Sequence, residues 1–254
     1  MKRFLHCAVF SAALSVAAIL PSLSAPRQAN SAPILLSQNV NFKPPDVTAP
    51  DNRQAGTHRG SCRPELSIPC ICPRELSIIP LIPPSNRALT VAESPTFFAY
   101  VSQASTPVEF TLQTKDTQGT KIYQTTFTVD KPGIVGVSIP ADGDNKKSIE
   151  VGKEYQWSFA VACNPEDRSG DYYVEGFVQR IEPKPSLKSD LEKPDPMARA
   201  IAYAENEIWY DTVTAVAELL REAPDDAMLT AEWRQLLQSQ RLGSIADRPL
   251  VQFF

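Results

Sequence analysis

The densest chemistry in this chain lies in Asn164-Pro165-Glu166-Asp167-Arg168-Ser169-Gly170-Asp171, where carboxylates and a guanidinium share one turn. Such a turn can hold a polar ligand through charge-assisted hydrogen bonds. It can also commit Arg168 to Asp167 or Asp171 and merely brace itself. Asp167, Arg168 and Asp171 are therefore the candidate binding residues of this loop. A second oxygen-rich turn, Asp142-Gly143-Asp144-Asn145, falls short of a calcium loop because Lys146 stands at the third ligand position, so a hairpin turn is expected there. Phe97, Phe98, Tyr100, Tyr172 and Tyr173 alternate along expected strands, and those that face outward could stack on a sugar ring. The chain has only two histidines, His6 and His58, which leaves no set of histidine metal ligands and argues against a Ser/His/Asp triad. Glycine-rich phosphate loops, G-x-S-x-G elbows and H-E-x-x-H helices are absent from the sequence. With 29 acidic residues, chance carboxylate pairs are guaranteed, and none is nominated as a glycosidase dyad. The expectation is a non-enzymatic protein without a cofactor or metal.

Cysteine usage bears on the compartment. Lys2 and Arg3 precede a mostly apolar run from Phe4 to Leu20, followed by Pro21 and small residues, which is the layout of a secretory signal over residues 1–25. Cleavage after Ala25 would place Pro26 next, so Ser24 and Ala29 are rival sites, and an uncleaved anchor is the alternative. Beyond Cys7, four cysteines remain: Cys62, Cys70, Cys72 and Cys163. An even number suits an oxidising compartment, and four cysteines allow three pairings. Cys62–Cys163 is favoured because it ties the start of the domain to its penultimate strand, closing a loop of about 100 residues for roughly 4–5 kcal/mol. Cys70 and Cys72 would then form a C-x-C bridge or stay as free thiols; their spacing is wrong for a four-cysteine zinc knuckle. An imperfect duplication, Arg63-Pro64-Glu65-Leu66-Ser67-Ile68-Pro69 and Pro73-Arg74-Glu75-Leu76-Ser77-Ile78-Ile79, surrounds these two cysteines.

The elements that would position this chemistry follow from periodicity. The 254 residues carry 23 prolines and only 10 glycines, proline being about twice its usual share. The net charge of −4 speaks against a protein that coats nucleic acid. Residues 26–60 have no sustained apolar period and are expected to be a disordered leader. Short β runs are expected at 76–81, 96–102, 108–115, 121–129, 134–139, 155–163 and 172–181. Alternation is strictest where Tyr155, Trp157, Phe159, Val161 and Cys163 share one face and Gln156, Ser158, Ala160 and Ala162 the other. Strands at this spacing without helices between them predict a β-sandwich over residues 61–182. Ile149-x-x-Gly152-x-x-Tyr155 resembles the tyrosine corner of immunoglobulin-like and fibronectin III-like domains, in which the phenol closes back on the backbone.

Residues 183–195 read as a charged, proline-rich linker. Asp195-Pro196 is an N-cap with proline at the first helical position, and helices are expected at 196–206, 209–222 and 226–241, within a helical segment over residues 196–251. Trp209 through Asp225 looks like the second half of a tetratricopeptide repeat with a following helix, although Asn206-Glu207 replace the usual turn glycine and Thr212 occupies an alanine position. So few helices must dock on the sandwich or on another protein. Trp209, Tyr210 and Trp233 are the candidate interaction surface, with packing between helix and sandwich as their alternative role.

Several spaced segments resemble a known family. They are Arg59-Gly60-x-Cys62, Pro95-Thr96-Phe97-Phe98-x-Tyr100, Pro132-Gly133-Ile134-Val135, Glu150-Val151-Gly152-Lys153-x-Tyr155-x-Trp157, Cys163-Asn164-Pro165-x-Asp167-Arg168-Ser169, Tyr203-Ala204-Glu205-Asn206-x-Ile208-Trp209-Tyr210-Asp211 and Ile245-Ala246-x-x-Pro249-Leu250-Val251. Together they are similar to the cyanobacterial secreted proteins of domain-of-unknown-function family 928. The resemblance implies an envelope location and supports Cys62 and Cys163 as partners, whereas the Cys70–Cys72 segment departs from the pattern. It implies no established activity.

The expected protein is thus mainly β with a C-terminal α segment: an immunoglobulin-like or fibronectin III-like β-sandwich carrying a tetratricopeptide-like helical hairpin. Its expected role is protein–protein interaction or assembly in the periplasm or outside the cell, with another envelope protein as partner and no membrane span after signal removal. A carbohydrate-binding module using Tyr172, Tyr173 and the 164–171 loop is the alternative, and an envelope hydrolase ranks third.

Overall fold

The structure is a computed structural model that describes residues 40–44, 56–57, 76–141, 147–162, 168 and 171–254, with residues 56–57 as backbone only. The signal segment, all five cysteines, the 142–145 turn and Asp167 lie outside the described residues. Among those described, strands β1 (Gly56–Thr57), β2 (Ile78–Pro80), β3 (Arg87–Thr90), β4 (Thr96–Val101), β5 (Thr106–Thr114), β6 (Lys121–Val129), β7 (Gly133–Ser138), β8 (Glu154–Val161) and β9 (Tyr172–Arg180) precede the helices. Then come α1 (Pro185–Leu191), α2 (Pro196–Glu205), α3 (Trp209–Glu222), α4 (Ala227–Ser239) and a last strand, β10 (Leu250–Phe253). Residues 38–254 form one compact unit, so the helices belong to the same body as the strands.

Two sheets share one core. The larger runs β1-β9-β8-β5-β6, with β3 lying parallel to β9 beyond the β1 contact; the smaller runs β10-β7-β4-β2. Strand β8 shows why they face each other. Tyr155, Trp157, Phe159 and Val161 are buried, and the residues between them are partly exposed. The Phe97 ring of β4 meets Phe110 of β5 at 5.3 Å and Trp157 of β8 at 5.6 Å, joining the two sheets through aromatic contacts. The Trp157 indole lies so close to β9 that a Cβ on Gly176 would stand 2.5 Å from it, so only glycine fits there. Before β8, Gly152 takes φ 80°, and the Tyr155 phenol accepts the Glu150 N–H at 3.0 Å, closing the side chain back on the backbone.

The helices dock on this body through α3, which packs against β3 and β4. The Trp209 indole N–H donates to the Leu81 carbonyl at 2.9 Å. The Tyr210 hydroxyl accepts the Trp157 indole N–H at 2.6 Å and donates to the Phe177 carbonyl at 3.0 Å. Asp195 caps α2 by accepting the Met197 N–H at 2.9 Å, and Asp226 caps α4 by accepting the N–H groups of Met228 and Leu229. At the turn before α3, Glu207 occupies φ 63°, the left-handed conformation for which glycine is the usual choice. No helix among the described residues is long and apolar enough to cross a membrane.

Four departures from the sequence reading have local causes. The expected linker 183–195 contains α1, which starts with Pro185 at its first turn and buries Leu187 against Ala202 and Ile208. The expected leader is not wholly free: Val40 and Phe42 are buried in the main core. Strands β3 and β10 were not anticipated, because each is short and pairs in parallel with a strand distant in sequence. Finally, α4 stops at Ser239 rather than at residue 241, with Arg241 at φ 58° and the Leu242 N–H bonded to the Leu237 carbonyl.

Candidate functional site

The candidate interaction surface of Trp209, Tyr210 and Trp233 is corrected by burial: their exposures are 0%, 2% and 2%. The helical spacing revealed one apolar stripe, and the sheets and neighbouring helices cover it. These rings hold the molecule together under cover of the chain's own residues.

A site does form on the outward face of the larger sheet. Antiparallel registers place Glu109, Ala160 and Tyr173 in one row, Thr111, Ser158 and Glu175 in the next, and Gln113, Gln156 and Phe177 in a third. Neighbouring strands lie about 4.8 Å apart, so each row brings three side chains within reach of one small ligand. The resulting open groove, about 380 Å³, is lined by Thr111, Gln113, Gln156, Ser158, Tyr173 and Glu175, with Arg168 and Asp171 at one side. Within it the Gln156 amide donates to Glu175 at 2.7 Å, and the Gln113 amide donates to Gln156 at 3.3 Å. That chain fixes the orientation of planar amide and carboxylate groups.

Arg168 closes the groove. Its Nε donates to Asp171, which is only 6% exposed, and its Nη2 reaches Glu109 at 3.3 Å. The Asp171 carboxylate, followed by Glu109, holds the guanidinium even more firmly protonated than usual. The pair with Asp171 is one of the two that the sequence offered Arg168, and a second contact ties Arg168 to β5. Beyond the third row, Lys115 sits 4.1 Å over the Phe177 ring and pairs with Glu154 at 2.9 Å. Tyr172 and Tyr173, the tyrosines of the expected carbohydrate-binding module, are consecutive residues of β9 and point to opposite faces. Tyr172 packs against the core, and Tyr173 alone faces the groove.

A second cleft, about 260 Å³, lies between the segment after β3 and helices α2 and α3. Asp211 accepts the Thr90 hydroxyl at 2.6 Å and the Val91 N–H at 3.2 Å there, so the first turn of α3 is latched onto the end of β3. Burial pushes the Asp211 carboxyl up to about 6, against the lowering effect of these hydrogen bonds. Burial, reinforced by Asp211, likewise pushes the Tyr203 phenol up to about 12. Arg199, Glu218 and Glu222 also line it. No cluster of three His, Cys, Asp or Glu side chains suited to a metal ion occurs among the described residues.

Sequence reasoning nominated Arg168, Asp171 and Tyr173, which border this groove. It missed Gln113, Gln156 and Glu175 as groove residues, although strict alternation already placed Gln156 on the outward face. Thr90 and Asp211 were missed as a pair because β3 was not anticipated. Comparison with curated proteins returned no match. Residues 54–250 match a Domain of Unknown Function (DUF928), and the chain belongs to that family.

Proposed function

We propose that this is an exported, non-enzymatic binding module of the cell envelope that holds a hydroxyl-rich ligand, an oligosaccharide chain, in the groove on its larger sheet. One observation carries the reading: three adjacent strands and the Arg168 loop direct Thr111, Gln113, Gln156, Ser158, Tyr173 and Glu175 into one open groove. Amides, carboxylates and hydroxyls in a fixed array suit paired sugar hydroxyls, and Tyr173 supplies an aromatic face for a ring. The envelope location rests on the signal-like residues 1–25 and on the likeness to cyanobacterial secreted proteins. The strand order β2-β4-β7 against β9-β8-β5-β6, the parallel β3–β9 pair and the Tyr155 closure support an immunoglobulin-like sandwich. Helices α3 and α4 pack on each other and are read as a tetratricopeptide-like hairpin.

The test is co-sedimentation of the full chain with insoluble envelope polysaccharide and purified cell-wall sacculi. Retention that falls at least about tenfold in Tyr173→Ala and in Glu175→Gln supports the reading, an effect worth about 1.4 kcal/mol per tenfold. Retention equal to wild type in both variants, or none at all, contradicts it. A second reading, assembly with another envelope protein, is favoured by how the helical segment holds residues 40–44.

A further inference from the structure

Residues 40–44 form no strand and no helix, yet two of them, Val40 and Phe42, are firmly held. Val40 and Phe42 are buried at 0% and 2% exposure, while Asn41 and Lys43 between and after them are exposed, the pattern of an extended segment laid in a cleft. Among the described residues the grip comes from side chains, with no strand ladder involved. Glu232 on α4 accepts the Val40 N–H at 2.9 Å, and the Gln240 amide just beyond α4 donates to the Phe42 carbonyl at 3.4 Å. The Phe42 ring meets Trp209 edge-on at 4.8 Å.

Glu232 and Gln240 are themselves only 5% and 1% exposed, and they stand beside Trp233, Leu236 and Leu237. A buried carboxylate on the inner face of an amphipathic helix and a buried amide at its C-cap are costly choices. They suit that position when their task is to receive a backbone N–H and carbonyl, groups that every peptide supplies whatever its side chains. Specificity then falls to the two apolar positions, two residues apart, as in other modes of extended-peptide recognition.

We propose that this cleft on α3 and α4 is a peptide-recognition groove for extended segments with large apolar side chains two residues apart, and that the Val40-Asn41-Phe42 segment is its occupant in cis. The partner it fits is an extended tail or loop of another polypeptide with that pattern, which enters by displacing the strap. The groove is separate from the polar groove of the larger sheet and does not depend on the function proposed for it.

The experiment uses the full chain carrying Val40→Ser and Phe42→Ser, which empties the apolar positions while leaving α3 and α4 intact. A fluorescent peptide of residues 36–45 is titrated into it and followed by anisotropy. Saturable binding is expected, at least about tenfold tighter than to the wild-type chain, where the tethered strap competes at high effective concentration. Adding Glu232→Gln to the variant is expected to weaken binding about tenfold or more, the loss typical of a hydrogen bond to a charged group. The proposal is overturned if the folded variant fails to bind the peptide, if serine at the position of Phe42 in the peptide leaves affinity unchanged, or if Glu232→Gln has no effect. It is equally overturned if the Val40→Ser, Phe42→Ser chain no longer folds, since a displaceable occupant leaves its groove standing.

Discussion

Replacing Tyr210 by phenylalanine removes one oxygen and leaves the ring in place. In the native molecule that oxygen receives the Trp157 indole N–H at 2.6 Å and donates to the Phe177 carbonyl at 3.0 Å. Trp157 is 1% exposed, so its N–H cannot turn to water when the acceptor goes. A buried orphaned donor costs about 1–3 kcal/mol, and a partly buried carbonyl adds up to about 1 kcal/mol. Because the ring contact with Phe97 at 5.2 Å survives, no cavity term enters. The expected destabilisation is about 1–4 kcal/mol, which for a body of this size lowers Tm by about 2–15 °C. Urea unfolding followed by tryptophan emission is the assay, with a lower midpoint at unchanged slope. Tyr203→Phe is the comparison, since Tyr203 borders the second cleft with its ring only partly buried; a change within about 0.5 kcal/mol is expected there. A Tyr210→Phe effect below about 0.5 kcal/mol, or separate unfolding transitions for strands and helices, would refute the claim that α3 is part of the sandwich core.

Other expectations follow from the same geometry. The Asp211 carboxyl rises from 3.8 to about 6, so the native state binds protons more tightly than the unfolded chain; the stability this contributes is complete below pH 3.8 and lost as pH rises through 6. Stability measured at pH 4.5 and 7 therefore contains a falling component of at most about 3 kcal/mol, and Asp211→Asn abolishes it; an unchanged slope in the variant contradicts the burial-raised Asp211 carboxyl. Gly176→Ala drives a Cβ to 2.5 Å from the Trp157 indole and is expected to cost about 1–3 kcal/mol, read as a fall in urea midpoint; a neutral result would mean β8 and β9 can part at little cost. Arg168→Ala breaks pairs whose guanidinium is 45% exposed, so it should cost under about 1 kcal/mol of stability while glycan retention drops; the reverse pattern would make the loop purely structural.

How much of this could be seen in the residues themselves differs from element to element. Strand β8 was legible because its two-residue alternation is unbroken over Tyr155, Trp157, Phe159 and Val161. Helices α2, α3 and α4 were legible from caps and apolar spacing, with Asp195 and Asp226 at their starts. What covers an apolar face is another matter. The spacing of Trp209, Val213 and Val216 demands a cover, but it cannot distinguish this chain's own sheets from a partner. Partners distant in sequence were likewise invisible, as with Glu109 for Arg168, Thr90 for Asp211 and Glu232 for Val40. The Arg168–Asp171 pair, by contrast, spans three residues and could be anticipated. Strand β10 has the apolar content of a strand, but it follows the helices and pairs in parallel with β7, a return that no local pattern announces.

The groove on the larger sheet is the centre of this account, and amide chemical-shift mapping tests it most directly. A soluble β-linked oligosaccharide such as N-acetylchitotetraose, titrated into the isotope-labelled chain, is expected to move the backbone signals of Thr111, Gln156, Ser158, Tyr173 and Glu175 in a saturable way. The signals of Asp211, Tyr203 and Glu218 should stay in place. Saturable shifts confined to the Asp211 cleft, or to α4 and residues 40–44, would contradict the placement of the ligand site, and no shifts with this probe or with soluble fragments of cell-wall glycan would contradict the carbohydrate reading itself.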